Sequence, residues 1–178
     1  MNSPRFHFAM AAILFGLMAW VFPAHAETTP ADSIVIESPT SVSLIDRATD
    51  GVQTVLDQAV RLLGTPYRWG GDGANTAALG FDCSGFVTHV FRSSLGLTLP
   101  RTAKAMSQIG EKITKQDLQP GDLVFFNTMR RAFSHVGIYL GNDRFIHAPR
   151  SGEEIRIDNL YDSYWLRRFN GARRIDAE

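Results

Sequence analysis

The sequence predicts an α+β domain in which helices come first and an antiparallel sheet follows. From Ala48 to about Ile109 the apolar residues recur at helical spacing. From Asp122 onward the period changes, and short runs of β-branched and aromatic residues alternate with turn signals. Between the two patterns lies Gly80-Phe81-Asp82-Cys83-Ser84-Gly85-Phe86-Val87, which opens a helix and carries the only cysteine of the 178 residues.

Taken in order, the chain begins with Arg5, an apolar run from Phe8 to Phe22, and Pro23-Ala24-His25-Ala26. This reads as a secretory leader over residues 1–26, cleaved after Ala26, with small residues where a signal peptidase reads them. The run is shorter than the roughly 20 residues that span a bilayer. The expected product is therefore exported with no membrane span, and without a cysteine at the cleavage site it is not lipidated. Retention of the leader as an anchor is the alternative that a single firm positive charge leaves open. Residues 27–47, rich in Thr, Ser, Pro and Ala, read as a linker or disordered arm, with Ile34-Val35-Ile36 as a short edge strand.

Residues 48–178 then form one domain, long enough for a real core. Val52, Val55, Leu56, Ala59, Leu62 and Leu63 predict an amphipathic helix ended by Gly64 and Pro66. A turn-rich loop to Gly71 and a turn from Asn75 to Gly80 lead into a helix from Cys83 to about Leu95, with Gly96 as its cap. Leu99-Pro100-Arg101-Thr102 opens a third, shorter helix reaching about Ile109. After the turn Gln119-Pro120-Gly121, Asp122 to Phe126 reads as a buried strand. Ser134 to Leu140 and Arg144 to Ala148 form a hairpin around Gly141-Asn142-Asp143. Glu154 to Ile157 and Phe169 to Ile175 complete a sheet of five to six strands, with Tyr161 to Arg167 crossing between them as a loop or helical turn.

The balance of 18 basic and 18 acidic residues argues against a nucleic-acid binder. Cys83 is more informative. An exported chain with one cysteine forms no internal disulfide, so the thiol is either buried or used. In the first turn of a helix the unpaired N–H groups and the helix dipole favour a thiolate. Asp82 is a natural N-cap whose charge opposes that shift, and it is equally suited to binding substrate. A small core cysteine is the plainer reading.

A thiolate nucleophile needs a base, and the base an orienting partner. Of the five histidines, His7 and His25 fall in the leader. His89 lies on the Cys83 helix, turned away as a surface or packing residue. A three-residue loop centred on Gly141 would set His135 directly opposite His147, and a one-residue slip would separate them. On that register His135 takes the Cys83 proton, and His147 accepts the Nδ1 proton of His135 and holds its ring. These residues are then all assigned, so neither a metal nor another cofactor is expected.

The stretches Gly64-Thr65-Pro66-Tyr67-Arg68-Trp69-Gly70-Gly71, Asp82-Cys83-Ser84-Gly85-Phe86-Val87, Leu99-Pro100-Arg101-Thr102, Leu118 to Phe126, Ser134 to Gly141 and Phe145-Ile146-His147-Ala148 together resemble the NlpC-type cell-wall cysteine peptidases. The likeness covers about Ala48 to Ile175, with the motifs in the expected order. It implies a minimal papain-like fold and hydrolysis of amide bonds in peptidoglycan stem peptides through an acyl-enzyme on Cys83, with His135 as base and His147 as the polar third residue. It also implies that Tyr67 helps stabilise the oxyanion, against the alternative of a core aromatic, and that Asp82, Ser84 and Arg101 line the substrate cleft. For Arg101 a fold-supporting ion pair is the alternative. Arg130 and Arg131 suit stem-peptide carboxylates or a solvated loop. Within the family the chain looks most like the Gram-negative murein endopeptidases that cut D-alanyl to diaminopimelate cross-links. Cleavage between D-glutamate and diaminopimelate is the second enzyme reading, an effector against rival cells a third, and a non-catalytic wall-binding module a reading of another class. The expected setting is the periplasm or cell envelope, as a monomer.

Overall fold

A computed structural model describes residues 39–74 and 80–175. The leader, its cleavage site and Ile34-Val35-Ile36 lie outside them. Helix α1 spans Pro39–Arg61 and so begins well before Ala48, inside the stretch expected as an arm. The Ser/Thr content there disguises a helical pattern. Pro39 has the fixed φ that suits a first turn, and Val42, Ile45 and Ala48 extend the spacing that Val52, Val55 and Ala59 continue.

Helix α2 spans Cys83–Leu95, and its ends are those the sequence dictates. The Asp82 carboxylate accepts from the Gly85 N–H at 2.7 Å, and Gly96, at φ 71°, closes the helix with its N–H on Arg92 O. Helix α3 is only Ala103–Met106, capped by Thr102. It stops short of Ile109 because the chain turns at Ser107, whose Oγ donates back to the Lys104 carbonyl at 2.7 Å.

Six strands form one antiparallel sheet: β1 Glu111–Ile113, β2 Leu123–Phe126, β3 His135–Gly141, β4 Arg144–His147, β5 Arg156–Asn159 and β6 Phe169–Arg174. Their order is β1-β6-β2-β3-β4-β5. Strand β1 carries no alternating apolar signal, which is why the sequence does not announce it. Strand β5 starts two residues later than expected. Ile155 is drawn instead into a clasp with the end of α1, its N–H on Thr65 O at 2.9 Å and its carbonyl accepting from Gly64 N–H at 3.0 Å.

All four residues of β2 are buried, because both faces of the sheet are covered. On one face α2 brings Phe86, Val87, Val90 and Phe91 against Leu123, Phe125, Val136, Ile138 and Ile146, with Val55 and Ala59 of α1 in the same cluster. On the other, α4 (Ser163–Leu166) sets Trp165 over Val124, Phe126, Tyr139 and Phe145. Truncating a fully buried phenylalanine such as Phe86 or Phe125 to alanine costs about 3–5 kcal/mol.

The β3–β4 hairpin differs from expectation in a way that matters. Asn142 and Asp143, at φ 50° and 60°, make a two-residue turn, and a bulge falls between Tyr139 and Gly141. Ile138 therefore pairs with Ile146 and Tyr139 with Phe145. This register places Gly137, not His135, across from His147. The shift is by two residues, so both histidines remain on one face, related diagonally.

Candidate active site

Cys83 stands at the first position of α2, where a glycine-rich loop is pressed against the helix backbone. A Cβ on Gly85 would meet Gly71 O at 2.0 Å, so only glycine admits this approach. The same loop hydrogen-bonds to the chain just ahead of Cys83, through Arg68 N–H on Phe81 O at 2.9 Å and Asp82 N–H on Gly71 O at 3.0 Å. Tyr67 is thereby held beside Cys83. The cysteine is partly exposed at the floor of an open cleft of about 1890 Å³.

That cleft is lined by Tyr67, Asp82, Cys83, Ser84, Arg101 and His135, the expected residues other than His147. His147 lies behind His135, fully buried. His135 Nε2 and His147 Nδ1 are 2.8 Å apart, with the two rings perpendicular. The expected partnership forms, but through Nε2 of His135 rather than Nδ1, and along a diagonal rather than straight across. Gly137 lets β3 and β4 pack closely beside this diagonal: a Cβ there would stand 2.8 Å from Phe145 Cδ2, 2.9 Å from Ile146 O and 3.2 Å from His147 Cβ.

Burial pushes the Cys83 thiol up to about 11, and the Asp82 charge adds to it. The backbone N–H groups of Val136 and Ser84 reach the sulfur and pull the other way without prevailing. The thiolate expected from the helix terminus is thus not the resting form. Burial holds His135 well below the usual imidazole range, helped by His147, and holds His147 low as well. Burial likewise raises the Tyr67 phenol to about 12, with the Cys83 and Asp82 charges contributing, so its O–H remains a donor.

Arg101 makes the ion pair that was its alternative reading. Its Nη1 and Nη2 meet Asp82 Oδ1 and Oδ2 at 2.7 and 2.8 Å, and it reaches Ser84 Oγ at 2.8 Å and Gly71 O at 3.1 Å. Ser84 in turn donates to Arg101 O at 2.7 Å. Asp82, Ser84 and Arg101 thus form one wall of the cleft while bracing the start of α2. Arg131 lines the cleft, whereas Arg130 occupies a left-handed turn position beside it. His89 packs on Phe81, ring centres 5.0 Å apart, as a packing residue on α2.

Two residues at the site were missed. Asp158 Oδ2 accepts from His147 Nε2 at 3.1 Å and from Trp165 Nε1 at 2.9 Å. The Trp165 ring also stacks on His135, 5.6 Å between centres and 23° between planes. The one available signal was the alternation Arg156-Ile157-Asp158, which puts an ion pair on the β4-facing strand.

The sequence matches the NlpC/P60 family over residues 64–174, well over half the chain. The chain belongs to that family. It is 45% identical to the gamma-DL-glutamyl hydrolase of Bacillus subtilis over 132 residues, 74% of this chain and 31% of that protein. It is 38% identical to the murein DD-endopeptidase MepH of Escherichia coli over 149 residues, 80% of this chain and 54% of that protein. The chain thus spans between about a third and about half of these two relatives. Among solved structures, the NlpC/p60 domain of the peptidoglycan hydrolase SagA superposes with a TM-score of 0.58 at 30% identity, covering 70% of this chain and 98% of that one. An NlpC/P60 protein from Bacillus cereus gives a TM-score of 0.63 at 34% identity, covering 69% and 39%. The helices and six-stranded antiparallel sheet of this NlpC/P60 chain agree with the fold expected from its sequence. Among the described residues no helix is long and apolar enough to cross a membrane.

Proposed function

We propose that this chain is a cysteine peptidase of the cell envelope that hydrolyses D-alanyl to diaminopimelate cross-links between peptidoglycan stem peptides. The observation that carries the reading is the buried His135–His147 contact, 2.8 Å long, which runs back from the cleft that exposes Cys83. In the first step His135 Nδ1 takes the Cys83 proton as Sγ attacks the scissile carbonyl. The Tyr67 O–H and the Cys83 backbone N–H donate to the developing oxyanion. The tetrahedral intermediate expels the amine, which takes the proton back from the His135 imidazolium. Water, deprotonated by the same imidazole, then attacks the thioester and regenerates the thiol. Asp82, Ser84 and Arg101 hold the peptide along the cleft. The protein acts after export, as a monomer, without lipid attachment.

The 45% identity to a gamma-DL-glutamyl hydrolase favours a second reading, in which the same groups cut between D-glutamate and diaminopimelate within one stem. Mass spectrometry of muropeptides from cross-linked sacculi, digested beside the Cys83→Ala variant, separates the two. The first reading requires loss of cross-linked dimers with tetrapeptide stems intact. Truncated stems would support the second, and retained sacculus binding with no cleavage would reduce the chain to a wall-binding module.

A further inference from the structure

Three strands carry an oblique row of polar groups whose two ends, His135 and Asp158, line the cleft while His147 between them is buried. His135 begins β3, His147 ends β4, and Asp158 lies on β5, diagonal to His147 because His147 pairs with Arg156. Each step crosses one strand and shifts two residues, and each is a hydrogen bond. The row sits in an apolar shell of Phe126, Phe145 and Trp165.

We infer that Asp158 is a positioning residue that sets whether His135 Nδ1 faces Cys83 with a lone pair or with a proton. Two neutral imidazoles in contact admit two arrangements of their protons. With the proton of His147 on Nε2, its Nδ1 accepts from His135 Nε2–H, and His135 Nδ1 keeps a lone pair for the thiol. With the proton of His147 on Nδ1, His135 carries its own on Nδ1 and turns a donor toward Cys83, where it cannot act as a base. The Asp158 carboxylate accepts only, so it selects the first arrangement. It also supplies the formal negative charge that a third-position histidine lacks, stabilising the imidazolium formed during proton transfer.

The carboxylate is itself fixed. Arg156 Nε and Nη2 bind Asp158 Oδ1 and Oδ2 at 2.9 and 3.1 Å, and the Trp165 indole N–H supplies a third donor. Arg156 Nη1 is held by Glu153 at 2.6 Å, and Glu153 by Arg150 at 2.6 Å. The charged groups facing the two rings are thus Asp158, Arg156 and Glu153, with Cys83, Asp82 and Arg101 across the cleft.

The inference rests on the peptidase reading for its kinetic consequence but not for its structural one. ¹⁵N NMR of the histidine-labelled full chain at pH 8 is expected to show both His135 and His147 protonated on Nε2. Protonation of His147 on Nδ1 would overturn the inference whatever the activity. In Asp158→Asn the single tautomer is expected to give way to a mixture, with kcat on cross-linked muropeptides falling about 10²-fold and KM within twofold. Arg156→Gln, which leaves the carboxylate in place, should lose less. Wild-type kcat and an unchanged tautomer in Asp158→Asn would sink the proposal. If the wild-type chain and Cys83→Ala are equally inactive, the peptidase reading fails, and the tautomer measurement still decides the role of Asp158.

Discussion

The Cys83 thiol occupies a helix terminus that favours its ionised form, yet burial and the Asp82 charge push it up to about 11. Its intended base, His135, is neutral for the same reason. Thiol and imidazole therefore rest uncharged, and in the proposed mechanism the proton moves only as the sulfur attacks. Hydrolysis then requires His135 unprotonated. Because its folded-state pKa lies well below 6.5, kcat/KM should be flat from about pH 6.5 to 9 and fall only on the acid side of 6.5. An acid limb centred at 7 or above would contradict a buried neutral base. Removing the base should cost more than removing its support. His135→Ala is expected to lower kcat by at least about 10³-fold and His147→Ala by about 10²-fold, measured on purified dimeric muropeptides, and equal losses would mean that His147 does more than orient. Cys83, His135 and His147 were legible in the sequence because a lone cysteine at a helix opening and two histidines flanking a turn are rare chemistry in legible places. Asp158 and Trp165 were not, since an aspartate in a polar strand reads as solvated and a tryptophan in a short crossing reads as packing. Only the fold brings a covering helix and an edge strand to the same ring.

At the scale of elements, the close approach of β3 and β4 beside the histidine contact depends on a residue with no side chain. Gly137 lies opposite His147, and a Cβ there would meet Phe145 Cδ2 at 2.8 Å and Ile146 O at 2.9 Å. Gly137→Ala should therefore destabilise the domain by about 1–3 kcal/mol through overpacking and lower kcat by more than the residual folded fraction explains. Denaturant titration beside steady-state kinetics checks this, and full activity in the folded fraction would free the diagonal geometry from its dependence on glycine. The hairpin was legible as a hairpin, because Gly141-Asn142-Asp143 interrupts two apolar runs. Its register was not, because the turn falls at Asn142-Asp143 and a bulge then moves the pairing back by one, together a shift of two from the expected register. The start of α1 was hidden for a different reason: Ser and Thr lower helix propensity locally, while the apolar stripe that decides the matter continues beneath them.

Across the whole molecule, the last strand is also an inner one. Strand β6 lies between β1 and β2, and Arg174 near its end binds Asp122 with two hydrogen bonds of 2.8 Å. Asp122 is almost wholly buried. Arg174→Leu would leave that buried carboxylate without its counter-charge, accepting from the Gln119 N–H at 2.8 Å, and should cost about 3–5 kcal/mol in urea titration. The double variant with Asp122→Leu should recover most of the loss, and failure to do so would shift the burden from the ion pair to its surroundings. Acid should act on the whole fold through the site. His135 and His147 bind protons more readily unfolded than folded, so their contribution to stability is complete above pH 6.5 and is lost as pH falls through their lowered folded values. Asp158 is opposed by burial, but hydrogen bonds from His147 and Arg156 hold its carboxyl far below the usual range, so its contribution is complete above about 4 and lost only in stronger acid. Calorimetry should find the melting temperature level from pH 8 to 7 and declining below 6.5, and a level curve down to pH 5 would refute the neutral pair.

The interior position of β6 has a bearing on how the chain is made. In a chain delivered from its N-terminus, whether from a ribosome or through an export channel, β1 to β5 emerge before the strand that joins β1 to the rest, so the sheet stays incomplete until Phe169–Arg174 follow. Closure of the sheet therefore waits on β6. A stalled nascent chain ending before Phe169 should therefore remain protease-sensitive, while one extended far enough to expose Arg174 outside the tunnel should become resistant.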